Sequence, residues 1–384
     1  MRRTIAVVTG TRAEYGILKP LLYQIDKSKK TKLELLVTGM HLVNKYGKTI
    51  KEIESDGFSN IHVVNMYTNE KMKTYHAKSL GRAIANFAQA LNKIRPDFLV
   101  VLGDRLEALA ATISALTLNI PIAHIHGGDK TDSGHIDESI RHAISQFAHI
   151  HFPATKEHAL RLKVMGQQKW RIHKVGALAL DSILLLDRIS KRKLFTKYGL
   201  DMEKKLVICL FHPVQLEVYT IGKQMKCILR SLENSILQTV IIYPNNDMGS
   251  DKIIGEIEKY RNAEFFKVVK NIPHNTYLNL LEHASLLIGN SSSGIIESPS
   301  FKLPAINVGT RNTGRIHGTN VLFVEAKKDD IIKAIKTALY NTKFKNKVQR
   351  CKNPYDNGKT SQKILEVLTS IKINEKLLRK NVII

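Results

Sequence analysis

Residues 97–142 read DFLVVLGDRLEALAATISALTLNIPIAHIHGGDKTDSGHIDESIRH. An apolar run, Phe98–Leu102, stops at Gly103-Asp104-Arg105, and a helix-patterned segment follows to about Leu118. A second apolar run, Ile120–Ile125, stops at His126-Gly127-Gly128-Asp129. Two short runs of this kind, joined by a helix, predict consecutive strands of a parallel sheet buried on both faces. Their polar, glycine-marked ends then lie at the carboxyl edge, where open α/β sheets bind ligands. The spacing predicts that Asp104, Asp137, Arg105, Arg141, His124, His126 and His142 converge there.

The pattern continues in both directions. Upstream, strands are predicted over Thr4–Thr9, Leu33–Thr38 and Ile61–Val64, with helices over Ile17–Ile25, Leu42–Ser55 and Lys78–Ile94. The helix Ile136–Phe147, the strand Ile150–Ala154 and the helix Thr155–Met165 complete a first half. A second half repeats the alternation, with strands at Leu206–His212, Thr239–Tyr243, Phe265–Val269, Leu286–Gly289, Ala305–Val308 and Val321–Val324. Its helices are predicted over Lys223–Glu233, Asp251–Arg261, Tyr277–His283, Ile295–Phe301 and Lys328–Leu339, and a last helix runs from Lys359 to Ile371. The expected fold is therefore α/β, two Rossmann-like domains with a cleft between them. The boundaries expected are residues 1–175 for the first domain and 176–358 for the second, with residues 359–384 as a final helical segment. A hinge is expected at His173–Ala179 and a charged connector at Leu186–Leu200.

Bulk properties agree with this reading. At 384 residues the chain exceeds one ordinary core, and its 43% hydrophobic and 24% charged composition is that of globular protein. The apolar runs are too short to span a bilayer, so no membrane association is expected. The start, MRRTIAVVTGTRAEYG, reads as a first strand and not as a leader. Cys209, Cys227 and Cys351 are scattered, as in a reduced, cytoplasmic compartment. A net charge of +25 raises the possibility of nucleic-acid binding. The basic residues are dispersed along the chain, however, and no nucleic-acid motif is present. A field that attracts a small anionic substrate accounts for the charge without one.

Several nucleotide motifs are excluded. A Walker A loop requires a glycine where Gly47-Lys48-Thr49 is preceded by Leu42 and Gly358-Lys359-Thr360 by Asn353. The first turn, Gly10-Thr11-Arg12-Ala13-Glu14-Tyr15-Gly16, lacks G-x-G-x-x-G, and there is no G-x-S-x-G elbow. Asn290-Ser291-Ser292-Ser293-Gly294, between a strand and a helix, offers N–H groups and hydroxyls to a phosphate, with Glu297 placed for ribose hydroxyls. A plain serine cap is the competing account. Arg311 and Arg315 are candidate diphosphate ligands, or solvated loop arginines. His212 at a strand end and Arg12 in the first turn are further anion-binding candidates. His124 and His126, two apart on a strand, should face one side and, with Asp129, His135 or His142, could bind a divalent metal. Alternatively, Asp104 and Asp137 act as acid and base, or Asp137 and Arg141 form an ordinary helical ion pair.

The segments TGTRAEYG, GDRLEALA, HIHGGD, HIDESIRH, YPNNDMGS, GNSSSGIIESPSF and NVGTRNTGR, in this order over Thr4–Gly314, resemble the hydrolysing UDP-N-acetylglucosamine 2-epimerases. The resemblance is to the branch that feeds sialic- and legionaminic-type acid or surface-glycan synthesis. It implies a GT-B fold, a last helix that crosses back onto the first domain, and no cofactor. It also implies UDP-GlcNAc as substrate, UDP as product and a homodimer or homotetramer. The implied reaction is elimination of UDP across C1–C2 to a 2-acetamidoglucal, then hydration to N-acetylmannosamine. Asp104 and Asp137 match the catalytic carboxylates. Arg12, His41, Arg105, His124, Arg141, His142, Asp181, His212, Asn245, Ser291, Ser292, Ser293, Glu297, Arg311 and Arg315 are the substrate-binding candidates. His126, the third catalytic candidate, departs from the glutamate that many relatives carry at that position; a neutral histidine could serve as base, which leaves the residue that takes the C2 proton open. A UDP-diacetamido-trideoxyhexose substrate, a non-hydrolysing epimerase making UDP-ManNAc and a glycosyltransferase are the alternatives.

Overall fold

The computed structural model describes residues 2–44, 48–68, 74–132, 136–245, 247–356 and 358–381. The chain divides into two compact units: residues 1–129, 137–182 and 355–384 form the first, and residues 130–136 and 183–354 the second. The chain thus leaves the first unit at Ser182 and returns at Tyr355, instead of switching at 175/176 and 358/359. It does so because the short helix after residue 176 and its preceding turn pack on the first unit, where Val175 and Leu178 belong to the core.

In the first unit β1 (Arg3–Thr9), β2 (Thr31–Val37), β3 (Ile61–Val63), β4 (Phe98–Leu102), β5 (Ile122–Ile125) and β6 (Ile150–Phe152) form one parallel sheet in the order β3-β2-β1-β4-β5-β6. Helices α1 (Arg12–Lys27), α2 (Ile50–Ser55), α3 (Tyr75–Ile94), α4 (Leu106–Thr117), α5 (Ile136–Phe147), α6 (Lys156–Val164) and α7 (Ala179–Leu184) connect the strands and lead out of them. Every residue of β4 and β5 is buried, which is why both read as unbroken apolar runs. The strand order reverses between β1 and β4, where Ile5 pairs with Phe98 and Val7 with Val100. Loops leaving these two strands diverge and open a crevice, the expected ligand position of such a sheet.

The second unit repeats the plan with β7 (Val207–Leu210), β8 (Thr239–Ile242), β9 (Phe266–Val269), β10 (Leu286–Gly289), β11 (Ala305–Val308) and β12 (Val321–Val324), ordered β12-β11-β10-β7-β8-β9. Its helices are α8 (Lys191–Tyr198), α9 (Ile221–Asn234), α10 (Ser250–Glu258), α11 (His274–His283), α12 (Ser293–Ile296), α13 (Lys328–Tyr340) and α14 (Thr342–Gln349). Its reversal lies between β7 and β10. Two predictions are corrected here. The charged connector contains a real helix, α8, capped by Ser190 and ended by Gly199 in the left-handed region. The helix predicted over Ile295–Phe301 is only the single turn α12, followed by a 3-10 turn at Ser298–Phe301, because Pro299 cannot continue the α-helical ladder.

After Tyr355 the chain rejoins the first unit as α15 (Thr360–Ser370) and α16 (Glu375–Leu378). Ile364, Leu368 and Leu377 are buried in its core beside Leu18, Leu21 and Val37. The buried guanidinium of Arg171 donates to the carbonyls of Leu377 at 2.9 Å and of Lys376 and Arg379 at 3.0 Å, closing the end of α16. Asp181 performs the same service for α15. Its Oδ1 accepts from Thr360 N at 2.9 Å and its Oδ2 from Ser361 N at 2.6 Å, with the Ser361 hydroxyl on Oδ2 as well.

Asp181 is therefore corrected from a substrate contact to a buried cap, 3% exposed, between residues 180 positions apart. Asp181→Ala orphans three buried donors and is expected to cost about 3 kcal/mol in denaturant unfolding. Unchanged stability would remove the capping role.

Candidate active site

Each unit carries a polar cluster at its own switch point. In the first, Gly103 takes a left-handed φ of +72° immediately after β4 and turns Asp104 off the sheet edge. Arg141, on α5, donates from Nε to Asp104 Oδ2 at 3.0 Å and from Nη2 to the same oxygen. Arg141 is 4% exposed and also serves Glu138 and, at 3.2 Å, the carbonyl of Asp129. Burial disfavours its charge, but Asp104, Asp129 and Glu138 outweigh that and raise its pKa above the ordinary value. Its ion-pair partners include Asp104 and Glu138. Asp137 stands one turn earlier on the same helix, so Asp137, Arg141 and Ser145 form one stripe.

His126 lies just beyond β5 with φ +66°, outside the strand's alternation. Its Nε2 accepts from Leu178 N at 3.2 Å. A backbone N–H can only donate, so Nε2 holds the lone pair and Nδ1 carries the proton. The loop beneath is closely packed: a Cβ on Gly128, at φ +79°, would lie 2.3 Å from the His158 carbonyl, and Asp129 pairs with buried His158 at 3.2 Å. His124, by contrast, is fully buried and bonded to Gly103 and Ser145. The two histidines therefore do not face one side as a metal-binding pair. His135 lies outside the described residues, and among those described no group of three metal-ligating side chains forms.

Other candidates are already engaged. His41 is 0% exposed, bonded to Thr9 Oγ1 at 3.1 Å and Thr49 Oγ1 at 2.7 Å, and burial pushes its pKa down to about 4. It is corrected to a neutral structural residue. Arg12, in the first turn of α1, pairs with Glu52 at 3.0 Å. Arg105 Nε donates to Glu107 at 3.3 Å, and His142 Nε2 meets Glu138 at 2.9 Å. Two residues were overlooked in the sequence. Glu14 and Glu107 are buried carboxyls under the first turn, and a Cβ on Gly10 would lie 2.6 Å from Glu107 Cγ. Burial, with Glu107 nearby, pushes Glu14 up to about 8 although Gly10 N donates to it at 2.7 Å. The sequence signal was available: Thr11-x-x-Glu14 is a capping box, whose glutamate reaches back to the start of the helix.

In the second unit, β7 and β10 are locked together beyond their ends. His212 N donates to Asn290 Oδ1 at 2.6 Å and Asn290 Nδ2 returns a bond to His212 O at 2.8 Å. Asn245 N donates to His212 Nδ1 at 3.1 Å, which leaves the proton on Nε2 and makes it a donor. Gly289 permits this approach, since a Cβ there would sit 1.9 Å from the Leu210 carbonyl. The loop Asn290–Ser293 receives Arg311, whose Nη1 donates to Asn290 O at 3.0 Å, and Asn312, which bonds the same carbonyl at 2.9 Å. Arg315 Nη1 reaches Asn312 Oδ1 at 3.2 Å. Ser291 Oγ accepts from Ser293 N at 3.3 Å, Ser292 precedes α12, and Ser293 Oγ meets the Tyr277 hydroxyl at 2.8 Å.

Glu297 follows this turn and is 6% exposed, with Oε2 buried and unbonded. Burial pushes its pKa up to about 7. A buried carboxylate oxygen without a donor is costly, and a ligand hydroxyl would relieve it. Asn245 Oδ1 is buried and unbonded as well. Donors from His212, Arg311 and the serine loop, beside carboxylate and amide acceptors, suit an anion carrying hydroxyls.

Residues 23–369 match the family model described as UDP-N-acetylglucosamine 2-epimerase. The chain is 36% identical, over 99% of both sequences, to UDP-N,N'-diacetylbacillosamine 2-epimerase (hydrolyzing) of Legionella pneumophila. It is also 36% identical, over 89% of both, to UDP-N-acetylglucosamine 2-epimerase of Neisseria meningitidis. Among solved structures, UDP-GlcNAc 2-epimerase from Neisseria meningitidis bound to UDP-GlcNAc superposes with a TM-score of 0.81 at 18% identity, covering 96% of this chain and 100% of that one. That likeness shows the two-domain GT-B fold.

Proposed function

The chain belongs to the UDP-N-acetylglucosamine 2-epimerase family, and from that premise we propose that it is a hydrolysing 2-epimerase acting on UDP-GlcNAc. The reaction needs a base for the C2 proton, stabilisation of the departing diphosphate, and an acid–base pair for hydration. The observation that carries the reading is Asp104, held by Arg141 at the carboxyl edge of β4, with Asp137 one turn before that arginine on α5. In this proposal Asp104 and Asp137 handle the protons. His126 Nε2 is occupied by Leu178 N and its Nδ1 carries a proton, so neither nitrogen is set to remove hydrogen from carbon. His126 instead orients its loop. Arg311 and Arg315 neutralise the diphosphate as the C1–O bond breaks, His212 and Ser291 donate hydrogen bonds to it, and Glu297 accepts from the ribose hydroxyls. Water adding to the 2-acetamidoglucal, with a proton returned to C2 from the opposite face, gives N-acetylmannosamine for sialic-type acid synthesis.

A second substrate has its own support. The relative aligned over 99% of both chains is named for UDP-N,N'-diacetylbacillosamine. One assay separates the readings: incubation with each UDP-sugar in D2O is expected to release UDP and yield free 2-epimer deuterated at C2. UDP-GlcNAc should be the faster substrate. UDP release with unlabelled, unepimerised sugar would end the elimination reading, and turnover of the diacetamido sugar alone would move the substrate to the second one.

A further inference from the structure

Resting on the elimination reading, we propose that Ser145 and His124 are positioning residues for Asp104, clamping the peptide bond that leads into it through a two-bond relay. His124 Nε2 lies 2.7 Å from the Gly103 carbonyl, and its Nδ1 lies 3.1 Å from Ser145 Oγ. A carbonyl can only accept, so Nε2 donates; Nδ1 of the neutral ring then accepts from the serine hydroxyl. Both side chains are 0% exposed, so neither reaches substrate and their influence passes through Gly103. Burial holds the His124 pKa down at about 4, which keeps the ring neutral and the relay's polarity fixed.

The relay explains features that the motif alone leaves open. Gly103, in the left-handed region, lacks the Cβ that would restrict its backbone, and its carbonyl is the atom that His124 holds. Gly127 has no positive φ, yet a Cβ there would come within 2.8 Å of His124 Nδ1 and 2.9 Å of Ser145 Oγ. The glycine is required because the relay runs directly beneath it. Ser145 also extends the stripe of α5: Arg141 grips the Asp104 carboxylate, and one turn later Ser145 holds His124, which in turn secures the preceding carbonyl. One helix face thereby fixes Asp104 at two points, the arrangement a proton-transfer group needs when small displacements are costly.

The test combines a spectroscopic and a kinetic readout. In protein labelled with 15N-histidine, His124 is expected as the Nε2–H tautomer, and Ser145→Ala should mix the two tautomers. This readout needs no substrate, so it stands or falls independently of whether any UDP-sugar is turned over. With the UDP-sugar that the wild type consumes, Ser145→Ala should lower kcat about tenfold while KM stays within about twofold. Ser145→Thr, which keeps the hydroxyl, should recover most of the rate. An Nδ1–H tautomer in the wild type, an unchanged kcat in a folded Ser145→Ala enzyme, or an effect confined to KM would each overturn the assignment.

Discussion

Asp104→Asn is expected to lower kcat by about three orders of magnitude while UDP affinity stays within about threefold. The substitution keeps the shape of the side chain but removes the charge that Arg141 grips through two N–H groups. An amide cannot take a proton from carbon, and it leaves a 4% exposed guanidinium with Glu138 as its remaining ion-pair partner. UDP affinity is insulated because the proposed UDP contacts belong to the second unit, around His212, Asn290 and Arg311. Steady-state kinetics beside UDP calorimetry check both parts. A variant that turns over normally, or that loses UDP binding, would displace Asp104 from proton transfer.

Glu297→Ala carries the second large effect, a loss of about fiftyfold in UDP affinity, the scale of one charge-assisted pair of hydrogen bonds. Glu297 also imposes a pH dependence whose sign is fixed. Its pKa in the fold, about 7, lies above the ordinary 4.5, so between these values the folded chain binds a proton that the unfolded chain does not. The stability that Glu297 itself contributes without ligand therefore falls as pH rises from 4.5 to about 7 and is level on either side. Binding shows the reverse, since only the carboxylate accepts two ribose hydroxyls: affinity for UDP should improve as pH rises through about 7. The terminal phosphate of UDP titrates nearby, so the quantity to compare is the pH slope of the wild type minus that of Glu297→Gln. Equal slopes would show that Glu297 does not meet the nucleotide.

The scaffold was legible because its central strands are buried on both faces. Phe98–Leu102 and Leu286–Gly289 could be read as strands from composition alone, and their polar ends do reach the carboxyl edges of the two sheets. What the linear pattern hid was the direction of individual side chains. His41, His124 and Asp181 carry the right chemistry at the right edge, but each is buried against partners that no local rule reveals: Thr9 and Thr49, Gly103 and Ser145, Thr360 and Ser361. His126 escaped a period-two reading because its backbone is left-handed, a state that residue type alone does not announce. The single-turn α12 followed from Pro299, a signal that was visible and outweighed by the apolar residues before it.

The return of the chain to the first unit sets an order of events during synthesis. Ile364, Leu368 and Leu377 complete the core that includes β1 and β2 and are made after every segment of the second unit. A ribosome carrying residues 1–354 has already delivered every segment of the second unit, while the first still lacks one wall. The second unit can thus mature on the nascent chain, and the first must wait for α15 and α16 before its core is complete. A fragment ending at Ser182 would keep the apolar face that α15 and α16 cover exposed, so the proposed catalytic carboxylates are best studied in the full chain.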